Sequence, residues 1–146
     1  NFTLALADNF ENILAVEISK LSVKTAQHNA RANGIKNTSF IRMSSEELTE
    51  AIDGMRPFRR LRNINLNEFN FSTVLVDPPR SGLDPTTISL ILRYKTIIYF
   101  SCNPLSLMQN LIEILPTHKI VAAAVFDQFP WTDHLEIGLV LEAQRN

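Results

Sequence analysis

Short apolar runs alternate along this chain with longer segments of mixed polarity. Residues 13–17 and 38–43 read as strands, and the runs at 72–76 and 96–100 read as buried parallel strands. Two further strands, at about 118–127 and 134–143, can pair as a hairpin, with at least one antiparallel to the rest. The intervening segments carry helix punctuation. Asn1 is a plausible N-cap for a short helix over 2–9. Ser19 opens a helix through Ala32 that Gly34 stops. Ser44 and Glu47 have capping-box spacing and open a short helix that ends near Gly54. Asp84-Pro85 and Asn103-Pro104 each pair a capping side chain with proline in the first helical turn, predicting helices to about Arg93 and to just before Pro116. Residues 55–70 show no clear period and read as an insertion between two sheet elements.

Strands and helices in this order predict a doubly wound α/β sheet with no domain boundary. A helix at the start implies a strand before it, and the first helix therefore reads as the point of truncation. That strand would lie between 13–17 and 72–76, so its loss would leave two unpaired edges. A glycine-rich turn normally follows it and builds the nucleotide site. The four glycines, Gly34, Gly54, Gly82 and Gly138, contain no Gly-x-Gly.

Composition narrows the picture. The 146 residues are 45% hydrophobic, enough for one packed domain. A formal net charge of −1 gives no overall basic field, so any nucleic-acid site must be local or lie on another part of the protein. The single cysteine excludes an internal disulfide and a multi-cysteine metal site. No apolar stretch is long enough to span a bilayer, and no signal peptide opens the chain. A start on Asn1-Phe2-Thr3 without methionine reads as a piece of a longer cytoplasmic protein.

Candidate chemistry gathers at strand ends, where open α/β sheets bind ligands. The run 72–76 ends in Asp77-Pro78-Pro79-Arg80, whose prolines stiffen the turn and leave its carbonyls and the Asp77 carboxylate to a ligand. The run 96–100 ends in Ser101-Cys102-Asn103-Pro104. The helix that follows sets its positive end beside the Cys102 sulfur, a setting for a nucleophilic thiol. Glu17 ends the first strand, where an acid can accept hydrogen bonds from ribose hydroxyls. Asn1 could touch a cofactor on its helix N-terminus. Glu136 lies on the strand face opposite Leu135 and Ile137. His118 and His134 have no ligand cluster around them and read as surface or structural residues. Arg56, Arg59, Arg60 and Arg62 around Phe58 read as a solvated loop, or as an RNA contact with Phe58 as the stacking ring.

Three motifs together resemble the RNA uracil-5-methyltransferases, and most closely the bacterial tRNA (uracil-5-)-methyltransferases. They are residues 77–84 (Asp77-Pro78-Pro79-Arg80-Ser81-Gly82-Leu83-Asp84), residues 98–104 (Ile98 to Pro104) and residues 126–136 (Phe126 to Glu136). The resemblance covers essentially the whole chain. It implies a Rossmann-like class I S-adenosylmethionine-dependent methyltransferase fold, lacking its first strand and glycine-rich loop. Residues 1–146 would be the incomplete C-terminal catalytic domain. It implies Cys102 as nucleophile, Glu136 as proton-abstracting base, and Asn1, Glu17 and Asp77 as cofactor contacts. The implied partner is tRNA, with no metal and no membrane, and Phe129 and Trp131 are candidate stacking partners for the target base. The alternatives are a ribosomal-RNA uracil-5-methyltransferase, an amino-methyltransferase, whose reaction needs no thiol, and a non-catalytic RNA-binding module with Cys102 merely buried.

Overall fold

The capping signals fix most element starts in the computed structural model, which describes residues 2–128, 130–132 and 135–144. The chain divides into two compact units, Asn1–Asn70 and Phe71–Asn146. In the first, α1 (Phe2–Ala5) leads through a 3-10 turn (Ala7–Asn9) to β1 (Ile13–Glu17), α2 (Lys20–Ala32), β2 (Thr38–Arg42) and α3 (Ser45–Ile52). β1 and β2 pair in parallel from Ile13–Thr38 to Glu17–Arg42. The Ser19 side chain caps α2, and Ser44 with Glu47 forms the reciprocal capping box of α3. Gly34 takes φ +71, the left-handed turn that ends α2. The expected helix over 2–9 stops after one turn, because Asn37 draws the Ala7 and Phe10 carbonyls towards the sheet with two hydrogen bonds of 2.8 Å.

The segment 55–70 is not simply a solvated insertion. Phe58 is buried with Ile41 and Met43, packed by Leu14, Val16, Leu61 and Ile64. It is therefore no stacking surface for RNA. Arg56 covers its ring at 4.3 Å and pairs with Glu50, while Arg60 donates to the Arg42 carbonyl and pairs with Glu47. The hydrogen bond from Arg60 holds the Glu47 carboxyl below the usual range. These two arginines serve the local fold.

The second unit holds β3 (Thr73–Val76), α4 (Pro85–Ile91), β4 (Thr96–Ser101), α5 (Pro104–Ile114), β5 (His118–Phe126) and β6 (Glu136–Ala143). Its sheet has the order β3-β4-β6-β5. β3 and β4 are parallel, whereas β6 runs antiparallel to both its neighbours. Alternate residues of β4 and β6 form the core: Ile97, Tyr99, Leu139 and Leu141 pack with Ile88, Ile91, Leu107 and Ile114. Burial of each large aliphatic side chain here contributes roughly 1.5–3 kcal/mol relative to exposure. His118 belongs to this structure, buried with Nε2 2.9 Å from the Tyr94 carbonyl and Nδ1 2.9 Å from Thr117 Oγ1. β5 is an edge strand, and every residue after His118 in it is exposed.

The α/β alternation expected from the sequence is present, but one continuous sheet is not. The described strands form a two-stranded sheet and a four-stranded sheet. β1 pairs only with β2, and β3 only with β4, so the two strands expected to flank a further strand are both edges. Sequence periodicity reports strands and not their partners, which is why the division at residue 70 was illegible.

Candidate active site

Both proline turns leave the same end of the second unit's sheet. Val76 pairs with Tyr99 across the parallel β3–β4 ladder, so Asp77 and Cys102 follow neighbouring strand ends. The turns are stitched together. Asn103 donates from Nδ2 to the Arg80 carbonyl at 2.8 Å, while its Oδ1 caps α5 by accepting the Leu105 N–H. Ser101 Oγ accepts the Asn103 N–H and donates to the Asn103 carbonyl, fixing the backbone on either side of Cys102.

A buried amide clamps the first turn onto α5. Asn110 Oδ1 accepts the Leu83 N–H at 2.8 Å and the Tyr99 hydroxyl at 2.7 Å, and its Nδ2 donates to the Leu83 carbonyl at 3.1 Å. Burial pushes the Tyr99 phenol up to about 12, so it stays a donor. Gly82 takes φ +82, and a Cβ there would lie 2.7 Å from Asn110 Oδ1. Only glycine permits that approach. Replacing Asn110 with alanine would strand the buried Tyr99 hydroxyl and the half-buried Leu83 N–H and carbonyl, and the expected cost is about 2–4 kcal/mol. A urea midpoint that does not fall in the Asn110→Ala protein would show that the clamp carries no stability.

The antiparallel strand adds the third member. β4 and β6 pair from Thr96–Glu142 to Ser101–Ile137. Cys102 follows the last paired residue of β4, and Glu136 precedes the last paired residue of β6. Glu136, two positions before Gly138, lies on the face of β6 away from the α4–α5 core. Cys102 is half-buried and free, not a sealed core residue. Glu136 is half-buried at the first position of β6, opposite Phe126 of β5. A potential thiol nucleophile and a carboxylate thus flank the same end of the β4–β6 ladder, which suits addition to an unsaturated ring followed by proton removal.

Asp77 stands exposed at the same rim, and partial desolvation of its carboxyl raises it above the usual carboxylate range. Glu17 lies in the first unit, exposed at the end of β1. Its Oε1 accepts the Ser19 N–H at 2.8 Å, which leaves the second oxygen for a ligand hydroxyl. Asn1, Phe129 and His134 fall outside the described residues. Trp131 is fully exposed and holds φ +70, a strained conformation for a side chain of that size. Asn110 and the close approach at Gly82 were not singled out by sequence reasoning, although a glycine two residues after a proline turn is a usable signal for close approach. Among the described residues, no helix is long and apolar enough to cross a membrane.

The family described as tRNA (Uracil-5-)-methyltransferase matches residues 1–144. A tRNA/tmRNA (uracil-C(5))-methyltransferase of Saccharophagus degradans is 57% identical over 141 residues, covering 97% of this chain and 39% of that protein. The protein of the same description from Cellvibrio japonicus is 54% identical over 142 residues, with the same coverages of 97% and 39%. The chain thus spans about two-fifths of the length of these curated relatives. Among solved structures, the Pyrococcus abyssi tRNA (uracil-54, C5)-methyltransferase in complex with S-adenosyl-L-homocysteine superimposes with a TM-score of 0.73 at 26% identity, covering 96% of this chain and 31% of that one. An rRNA methylase of Streptococcus thermophilus shares the fold, with a TM-score of 0.66 at 14% identity, covering 99% of this chain and 81% of that one.

Proposed function

The chain belongs to the tRNA (uracil-5-)-methyltransferase family, and on that premise we propose that it is the catalytic part, C-terminal and incomplete, of a longer cytoplasmic enzyme that methylates uracil C5 in the T-loop of tRNA. The placing of Cys102 and Glu136 beside the last pair of the β4–β6 ladder, Ser101–Ile137, is the observation that supports this reading best. Uracil C5 is a poor nucleophile. Addition of the Cys102 thiolate to C6 makes an enolate and raises electron density at C5. S-adenosylmethionine, when bound, would supply the methyl group to C5 and leave as its neutral thioether. Glu136 removes the C5 proton, the C5–C6 double bond reforms, and the Cys102 sulfur leaves with its bonding pair. One nucleophile and one base on the same ring suffice. Asn1, Glu17 and Asp77 would hold the cofactor. The target base must leave its stack to reach the rim, and Trp131, exposed between β5 and β6, is suited to stack on it together with Phe129.

The experiment is transcript specificity. The protein carrying this chain, at the length of its relatives, is expected to convert one T-loop uridine of a tRNA transcript to 5-methyluridine and to leave ribosomal RNA unmethylated. Methylation of ribosomal RNA alone would assign the substrate to the alternative reading. Methylation of an exocyclic amine would replace the thiol chemistry altogether.

A further inference from the structure

Gly138 lies mid-strand in β6, where glycine ordinarily weakens a sheet. Here two rings occupy the space of its missing side chain. A Cβ at Gly138 would lie 3.0 Å from the Phe100 ring on β4 and 3.4 Å from the Phe126 ring on β5. Phe100 is the direct partner of Gly138, and Phe126 is the direct partner of Glu136. The two rings therefore close over β6 from both flanking strands, two residues from Glu136. Strand registers slip in whole residues, and a slip of one would turn Glu136 to the opposite face. On the other face of β6 the α4–α5 core packs against Ile137, Leu139 and Leu141.

We propose that Phe100 and Phe126, clasped over Gly138, are positioning residues that hold the start of β6 in register, so that Glu136 stays beside the strand end that carries Cys102. Neither ring touches the reacting atoms in this scheme. The inference rests on the roles proposed above for Cys102 and Glu136. Its effect belongs to the step that needs Glu136, proton removal and release, and not to addition or methyl transfer.

Single-turnover reactions of the full-length protein with methyl-labelled cofactor and tRNA separate these steps. For Phe126→Ala, methyl transfer is expected to stay close to wild type. Release of methylated RNA should slow on the order of tenfold to a hundredfold, the scale of a small misplacement of a catalytic group. A labelled covalent adduct then persists on denaturing gels. Phe126→Tyr, which keeps the ring, should restore release. Gly138→Ala, which crowds the rings from the opposite side, should show the same partition. Adding Phe126→Ala to Glu136→Gln should slow release no further, because both act on one step. The proposal is overturned if release is unchanged in both variants, if methyl transfer and release fall together, or if the double variant is additive. An adduct that forms in a Cys102→Ala control would overturn the functional reading itself, and the inference with it.

Discussion

Full-length protein carrying Cys102→Ser is expected to lose methyl transfer by about four orders of magnitude or more while still binding tRNA. Serine keeps the size and the hydrogen-bonding capacity of the side chain, but its hydroxyl is a far weaker nucleophile at neutral pH than a thiol, which carries a usable thiolate fraction. Ser101 and Asn103 fix the backbone around position 102 through hydrogen bonds that do not use the Cys102 side chain. The substitution should therefore leave the rim intact, so a loss of turnover with retained RNA affinity isolates covalent addition. Gel-shift titration and methyl incorporation on the same tRNA provide the two readouts. Turnover near that of wild type would remove the covalent mechanism.

The second large effect is a change of product rather than a simple loss. Glu136→Gln keeps size and hydrogen bonding and removes the basic carboxylate. Addition of Cys102 to C6 and transfer of the methyl group should still occur. Elimination should stall, and a methylated enzyme–RNA adduct should accumulate through the cysteine sulfur. On a denaturing gel it would run as a slow band bearing the methyl label. A structural glutamate makes a different prediction: lower stability and lower activity with no trapped species. If the folded, RNA-binding Glu136→Gln protein forms no labelled adduct, the base lies elsewhere, with Asp133 and His134, both outside the described residues, the next candidates.

Local chemistry was the legible part of this protein. The caps at Ser19, Ser44, Asp84 and Asn103 act within three residues of themselves, and all four start helices where the sequence placed them. The strand ends bearing Asp77 and Cys102 were legible for the same reason, since a proline turn closes a run of apolar residues. The Asn110 clamp was not legible. It reads as one polar residue in a helix, and its partners in the Leu83 backbone lie 27 positions away. Phe58 was misread as a surface ring because its neighbours in the chain are arginines, while its burial is decided by Ile41 and Met43 on another element. Alternation sets Glu136 and Ile137 on opposite faces of β6. Which residues of β4 the strand stands beside is set by cross-strand pairing, and a single sequence carries no record of that.

The reversed direction of β6 also has a kinetic meaning. Cys102 follows its strand and Glu136 precedes its own, with all of α5 and β5 between them in the chain. Closing that excursion is a non-local event, and its entropy must be met before the contacts that reward it form. A folding chain can complete β3, β4 and α5, with the thiol already at its strand end, while the carboxylate is still absent from the rim. On the mechanism proposed above, the reacting pair exists only once the last strand has inserted between its two neighbours. Release of product by a refolding protein is then expected as a late clock, timing the closure of the sheet rather than the formation of its helices.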